Sequence, residues 1–280
     1  MQTIATLGPS GTYTEQATIQ FIHGQALQHE IQYFSSLLKV IDAVGKGCQL
    51  GVVPIENFSE GFVSPVLDAL AQAQLHIVAE ILLPIQFSFV SNEADFDAIK
   101  QIYVQFVAKN QCSKFLSQFE HLGMVQTQSN MASLQQLQNN LKNSAAIVPS
   151  NAVMTKEFSS KVTDVGDYPN NQTRFVVLSA DKHFHVNELT TKANRDGYKT
   201  SLVISSGNDS PGALSQILNS FAEHSVNLLS IISRPTCESF GDYWFFIDLE
   251  GAINNVNISD AISKIEQDHQ VKVLGSYTCV

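Results

Sequence analysis

The sequence has 280 residues, of which 44% are hydrophobic and 15% are charged, and its formal net charge is −10. This composition excludes a disordered chain and leaves room for two globular domains. The negative charge and the absence of a Lys/Arg run argue against a nucleic-acid partner, although a small anionic substrate remains compatible with a few local cations or helix N-termini.

The N-terminal residues carry no basic stretch followed by an apolar one, and no run of about 18 apolar residues occurs in the sequence. We therefore expect a cytoplasmic protein with no membrane partner. The four cysteines form no Cys-x-x-Cys pair, which favours reduced thiols over disulfides or zinc sites. The close pair of His183 and His185 lies in a polar stretch, where a solvated loop is the preferred interpretation, so we expect no metal site.

The first 180 residues alternate short apolar runs with helical patterns, which predicts layered α/β structure. The apolar runs predict strands at residues 3–7, 50–53, 77–90, 102–104, 145–148 and 173–178. Apolar residues at helical spacing predict helices after residue 12 and over residues 37–44, 63–70, 112–119 and 134–141. We predict two lobes, one of residues 1–82 with 166–180 and one of residues 83–165, with a ligand cleft between them.

Residues 181–199 are polar and show little periodicity, so we predict a linker there. From residue 200 to residue 280 the pattern is strand, helix, strand, strand, helix, strand. This βαββαβ order is typical of a ferredoxin-like sandwich, in which two helices cover one sheet. At about 80 residues the segment is long enough to be a separate domain.

The first motif runs through residues 6–17, where a strand, a Gly-containing loop and a helix start follow each other. Thr12 and Glu15 have the spacing of a capping box. The N–H groups around Gly11 suit a carboxylate or a phosphate, but no Lys follows Gly11, so the motif is not a P-loop. An ordinary capped helix start is the alternative.

The second motif, residues 51–63, places Glu56, Asn57 and Ser59 directly after a buried strand. Ligand sites in α/β proteins favour the carboxyl ends of strands. The alternative is that Asn57 or Ser59 only caps the next helix.

The third motif, residues 167–175, leads through an amide-rich turn into Thr173, Arg174 and Phe175 at a strand start. Arg174 has the planar donor fork that binds a carboxylate through two hydrogen bonds, and Thr173 offers a hydroxyl. A polar turn with a surface arginine is the alternative.

The fourth motif lies in the C-terminal domain, at residues 209–214, 227–228 and 233–235. Gly212 and Ala213 leave a helix start open, so a small ligand could reach backbone N–H groups. Simple helix initiation is the alternative.

In this order the four motifs resemble those of prephenate dehydratase over nearly the whole chain. The matching segments are Gly-Pro-x-Gly-Thr at residues 8–12, Pro-Ile-Glu-Asn with Glu-Gly and Val at 54–63, Asn-x-Thr-Arg-Phe at 171–175, and the ACT-domain segments Pro-Gly-Ala-Leu at 211–214 and Ser-Arg-Pro at 233–235. The resemblance implies a two-lobed catalytic domain like that of periplasmic binding proteins, followed by an ACT domain. It also implies decarboxylation and dehydration of prephenate to phenylpyruvate in phenylalanine biosynthesis, with no cofactor.

The resemblance also implies roles for individual residues. Thr173 is the candidate proton donor, Arg174 would hold substrate carboxylates together with Thr12 and the Gly11 loop, and Glu56 and Asn57 would line the cleft. Further substrate contacts are expected from Ser59, Asn171 and Phe175. L-Phenylalanine would bind between ACT domains of a homodimer or homotetramer and inhibit. The effector residues would be Asp209, Pro211, Gly212, Ala213, Leu214, Asn227, Ser233 and Arg234.

The chain departs from the family pattern at four places. Phe58 stands where the family has Ser, Phe62 where it has a small hydroxyl residue, and Ile232 where it has Glu. Residues 105–107 replace an expected His-Pro-Gln segment. Three alternatives therefore stay open at this point: an enzyme acting on arogenate, a regulatory amino-acid-binding protein without activity, and a solute-binding protein.

Overall fold

The computed structural model describes residues 2–25, 28–140, 142–154, 157–184, 186, 197–205, 211–237 and 241–278. The strands in these residues are β1 (Gln2–Leu7), β2 (His29–Phe34), β3 (Leu50–Asn57), β4 (Gly61–Phe62), β5 (His76–Pro84), β6 (Phe87–Ser91), β7 (Gln101–Gln105), β8 (Gly123–Thr127), β9 (Ser144–Pro149), β10 (Ser160–Val162), β11 (Gln172–Ser179), β12 (Lys199–Ser205), β13 (Leu228–Pro235), β14 (Tyr243–Glu250) and β15 (Gln270–Tyr277). The α-helices are α1 (Tyr13–Gly24), α2 (Leu37–Ala43), α3 (Ser64–Gln72), α4 (Phe106–Gln111), α5 (Ser113–Leu116), α6 (Asn130–Asn139), α7 (Ala213–Glu223) and α8 (Val256–Ile265).

The strands form three sheets, two of which make the lobes of the first 180 residues. The first sheet has the order β2-β1-β3-β11-β5, with β4 paired to β3, and the second has the order β10-β6-β9-β7-β8. The chain passes from the first sheet to the second between Pro84 and Phe87 and returns between Val162 and Gln172. The two crossings lie side by side, because the Ile85 N–H donates to the Asn171 carbonyl at 2.8 Å.

The third sheet has the order β13-β14-β12-β15 and is antiparallel throughout. Helices α7 and α8 bury Ile217, Phe221, Ile258 and Ile262 in a core shared with one face of this sheet. The predicted fold class, a two-lobed α/β unit followed by a ferredoxin-like βαββαβ unit, is confirmed.

The observed strands and helices differ from the predicted ones where the backbone bends and at the edges of the sheets. The extended run at 77–90 is two strands in different sheets, since β5 ends at Pro84. The helix predicted over 112–119 is found as α5 followed by a 3-10 turn over Ser117–Phe119, and the unpredicted helix α4 precedes it, separated by the non-helical backbone of Cys112 (φ −121°, ψ 24°). Strands β2 and β8 were not predicted; both lie at sheet edges, where few side chains are buried.

The predicted linker overlaps the third sheet at one residue, because β12 begins at Lys199. Most of the linker, residues 185 and 187–196, lies outside the described residues. Of the close His pair, only His183 belongs to the described residues. Among the helices that the structure describes, none combines the length and hydropathy needed to cross a membrane.

The face of the third sheet opposite its helices packs against the first lobe. Trp244, Phe246, Leu274 and Tyr277 share one buried cluster with residues of β3 and α3. Gly275 permits close approach, because a Cβ there would lie only 2.1 Å from the carbonyl oxygen of Ile77 on β5. The C-terminal domain is therefore docked on the back of the first sheet.

Candidate active site

A cavity of about 290 Å³ lies between the two lobes. The first lobe contributes Tyr13, Asn57 and Thr173 to its wall, and the second lobe contributes Val107, Gln111 and Asn130. Thr173 and Asn57 are neighbours because β11 and β3 pair antiparallel with these two residues in register. The cavity therefore occupies the predicted place, between the lobes.

Thr173 presents its hydroxyl at the edge of this cavity and is only 7% exposed. Its Oγ1 accepts a hydrogen bond from Asn57 Nδ2 at 2.8 Å. An amide nitrogen only donates, so the Thr173 hydroxyl keeps its own proton for another acceptor. The arrangement can deliver a proton to an oxygen bound in the cavity.

A network of amides holds Asn57 in this orientation. Asn57 Nδ2 also donates to Asn171 Oδ1 at 3.0 Å. Gln111, from the second lobe, donates to Ser59 Oγ at 2.9 Å and to Asn57 Oδ1 at 3.3 Å, and its Oε1 accepts from Asn171 Nδ2 at 3.1 Å. Gln111 thus joins both lobes at the site. None of the sequence motifs predicted a role for Gln111.

Arg174 and Glu56 lie on the opposite face of the sheet from the cavity. Adjacent residues of a strand point to opposite faces, so the residues next to Thr173 and Asn57 face the C-terminal domain. Arg174 Nη1 donates to Glu56 Oε2 at 2.6 Å, and Nη2 lies 2.9 Å from Asp248 Oδ2 of β14. The Arg174 Nε donates to Glu80 Oε2 at 3.0 Å.

This geometry corrects the predicted roles of Arg174 and Glu56. The guanidinium is already shared among three carboxylates, and neither side chain borders the cavity. Burial alone would lower the pKa of Arg174, but the carboxylates of Asp248 and Glu80 raise it, so the residue stays charged. Arg174 therefore connects the first lobe to the C-terminal domain, outside the cavity where the sequence predicted it.

The predicted roles of Gly11 and Thr12 are corrected in the same way. The Gly11 N–H donates to Glu15 Oε2, which occupies the position proposed for a substrate carboxylate. Thr12 Oγ1 donates to the Leu7 carbonyl at 2.9 Å and accepts from the Glu15 N–H at 3.2 Å. Thr12 therefore caps the helix as predicted, while the Glu15 side chain binds the N–H of Gly11 and not that of Thr12 as in a full capping box. The next two residues, Tyr13 and Thr14, border the cavity instead.

Two aromatic residues complete the wall near Thr173. Phe175 is buried on the same face of β11, as predicted for a cavity residue. Tyr13 was not predicted; its hydroxyl donates to the Gln86 carbonyl, and its ring meets Phe87 edge-on at 6.1 Å. Burial raises the pKa of Tyr13. The phenol therefore stays protonated and acts as part of the wall.

Of the predicted effector residues that the structure describes, all are exposed except Ala213 and Arg234. Pro211, Gly212 and Ser233 are exposed, and α7 begins after Gly212, whose φ of 95° is left-handed. Ala213 is buried and Leu214 is 38% exposed. Asn227 donates to Glu250 Oε2 at 2.7 Å. Asp209 lies outside the described residues.

Arg234 is half-buried and faces the first lobe. Its guanidinium donates two hydrogen bonds to the carboxylate of Asp68 on α3, at 3.0 and 2.6 Å. The side chain of Arg234 is thus directed from β13 towards the first lobe, and its predicted contact with an effector stays a prediction.

Two known protein families match the two parts of the chain separately. Residues 4–183 match the family described as prephenate dehydratase, and residues 200–267 match the ACT domain. The prephenate dehydratase of Methanocaldococcus jannaschii is 31% identical, over 96% of this chain and 95% of that protein. That of Bacillus subtilis is 32% identical, over 97% of this chain and 96% of that protein. The crystal structure of prephenate dehydratase in complex with L-Phe from Arthrobacter aurescens has a TM-score of 0.84 and 30% identity, covering 99% of this chain and 90% of that one.

Proposed function

The chain belongs to the prephenate dehydratase family and is a lyase with an ACT regulatory domain, and we propose that it converts prephenate to phenylpyruvate in the cavity between its lobes. One observation carries the proposal: Thr173 borders the cavity with a hydroxyl that accepts from Asn57. Its own proton therefore remains available to a bound substrate.

The reaction needs one proton and no electron acceptor. The ring carboxylate leaves as carbon dioxide, the electrons of the broken C–C bond enter the ring, and the C–O bond to the ring hydroxyl breaks. Thr173 protonates the departing oxygen, so that water leaves, and regains a proton from solvent. Asn57 stabilises the threonine oxygen as negative charge develops on it. Gain of aromaticity supplies the driving force.

The substrate carboxylates meet uncharged donors, since Arg174 faces the other way. The first turn of α6 borders the cavity at Asn130, and a helix N-terminus favours a negative charge. Asn130 Oδ1 is buried with no hydrogen-bond partner among the described residues, and as an acceptor it suits a ligand hydroxyl, while the carboxylate is left to the N–H groups of the helix start. We assign one substrate carboxylate to this end of α6.

The C-terminal domain carries an exposed apolar surface suited to a second copy of the chain. It consists of Leu214 and Leu218 on α7 and Leu229 and Ile231 on β13, all between 37% and 46% exposed. We propose a homodimer or homotetramer formed through this surface, with L-phenylalanine at the start of α7, near Pro211 and Gly212. The likeness to the L-Phe complex of the Arthrobacter aurescens protein supports this effector.

Turnover of prephenate and of arogenate tests the substrate. Arogenate carries an ammonium where prephenate has a ketone. Among the described residues of the cavity wall, Glu60 is the one carboxylate, and its Oε1 is 3.4 Å from Gln111 Nε2. The amide donors suit a ketone oxygen, so we expect kcat/KM to be higher for prephenate by about ten-fold or more.

Glu60→Gln is the control for ammonium recognition and should lower turnover of arogenate more than that of prephenate. A preference for arogenate in the unmodified protein would contradict the proposed substrate. A folded protein inert towards both compounds would support a regulatory binding protein.

A further inference from the structure

The turn between β3 and β4, residues 57–62, is the place where all three units of the protein meet. On the cavity side, Asn57 donates to Thr173 of the first lobe and accepts from Gln111 of the second. On the other side, the ring of Phe62 meets that of Phe246 on β14 of the ACT domain, with centroids 5.8 Å apart at 62°. One short turn therefore contacts both lobes and the ACT domain.

Strand pairing determines which way each residue of the turn faces. Gly61 pairs with Asn57, and Phe62 pairs with Glu56. Directly paired residues share a face, so Phe62 lies with Glu56 and Arg174 on the side of the ACT domain. Phe62 itself also borders the cavity, next to Gly61. A shift of Phe62 would move the backbone that faces Asn57.

Phe246 is a rigid partner for this ring. It is fully buried and packs with Trp244 and Tyr277 between the ACT sheet and the first lobe. Ile232 pairs with Phe246 in register and packs against the same cluster. Phe62 and Ile232 are both positions at which the chain departs from the family pattern, so this apolar contact is a feature of this sequence.

We propose that Phe62 is a positioning residue that fixes the turn holding Asn57 against Thr173, and that it transmits changes in the ACT domain to the cavity through Phe246. The inference rests on the proposed function for its catalytic readout. A second readout, the fluorescence of Trp244, does not depend on the proposed function. Trp244 is the single tryptophan of the chain and lies in the same buried cluster as Phe246.

Phe62→Ser, Phe62→Leu and Phe58→Ser separate this role from a general effect of the turn. Phe58 is the matched control, since it lies in the same turn but its side chain is 69% exposed. We expect Phe62→Ser to lower kcat for prephenate by about ten-fold or more with a smaller change in KM, because Asn57 is misplaced. We also expect the phenylalanine concentration for half-inhibition to rise about five-fold or more.

Phe62→Leu keeps an apolar side chain, so its kcat and its phenylalanine concentration for half-inhibition should stay close to those of the unmodified protein. Phe58→Ser should match the unmodified protein in both. The fluorescence of Trp244 on addition of L-phenylalanine is measured for the same proteins. We expect a spectral change in the unmodified protein that is reduced in Phe62→Ser. Circular dichroism and thermal unfolding verify that each variant is folded.

Phe246→Leu tests the contact from the other side. If the two rings act together, Phe62→Ser combined with Phe246→Leu changes kcat and half-inhibition by less than the sum of the single effects, in logarithmic terms. Additive effects, or a folded Phe62→Ser protein with the same kcat and phenylalanine response as Phe58→Ser, would overturn the inference. If the unmodified protein leaves prephenate unchanged but Trp244 still responds through Phe62, the proposed function fails and the coupling stands.

Discussion

Thr173→Ala is expected to lower kcat for prephenate by at least about ten-fold while the protein stays folded. The hydroxyl is held by Asn57 at 2.8 Å and is the group we assign as proton donor to the leaving oxygen. Hydroxide is a poor leaving group, so loss of the donor slows the bond-breaking step. KM should change less than kcat, because the carboxylates bind elsewhere in the cavity.

Thr173→Ser is the matched control, since it keeps the hydroxyl and removes only a methyl group. We expect its kcat to stay much closer to that of the unmodified protein than the kcat of Thr173→Ala. Steady-state kinetics on prephenate, with circular dichroism on each variant, provides the comparison. Unchanged kcat in a folded Thr173→Ala protein would remove Thr173 from the mechanism.

Arg174→Met should produce the largest loss of stability, about 3–5 kcal/mol in the free energy of unfolding. The side chain is 15% exposed and lies between Glu56, Glu80 and Asp248, of which Glu80 and Asp248 are almost fully buried. Removing the guanidinium leaves these carboxylates close together without their common partner. Lys199, at 2.6 Å from Glu80, compensates only one of them.

Urea unfolding followed by Trp244 fluorescence measures this loss. Lys264→Met is the control, because it breaks an ion pair with Glu223 on the surface of the ACT domain and should leave the unfolding midpoint unchanged. Adding Asp248→Asn to Arg174→Met removes one uncompensated charge and should recover part of the stability. Equal midpoints for Arg174→Met and the control would show that the network does not hold the domains together.

The fold was predictable from sequence wherever local patterns coincide with burial. Helices α7 and α8 have apolar residues at helical spacing and bury that face on one sheet, so their pattern survives in the fold. Strand β2 mixes polar and apolar residues and lies at a sheet edge, where its burial is slight. Its pairing depends on β1, whose residues lie 27 positions earlier in the sequence. No local pattern marks such a strand.

The site was only partly predictable, because position along the chain does not give the direction of a side chain. The motif around residues 171–175 led to Thr173, Asn171 and Phe175, which do lie at the cavity or in its amide network. The same motif suggested Arg174, but strand alternation turns that residue to the opposite face. Gln111 could not be placed at all, since its contacts to Asn57 and Ser59 come from the other lobe.

Conversion of prephenate to phenylpyruvate by the purified protein, followed by absorbance with and without L-phenylalanine, tests the central claim most directly. The account predicts turnover that L-phenylalanine suppresses. Turnover without suppression would contradict control by the ACT domain. A folded protein that leaves prephenate unchanged would contradict the assignment of the cavity as a dehydratase active site.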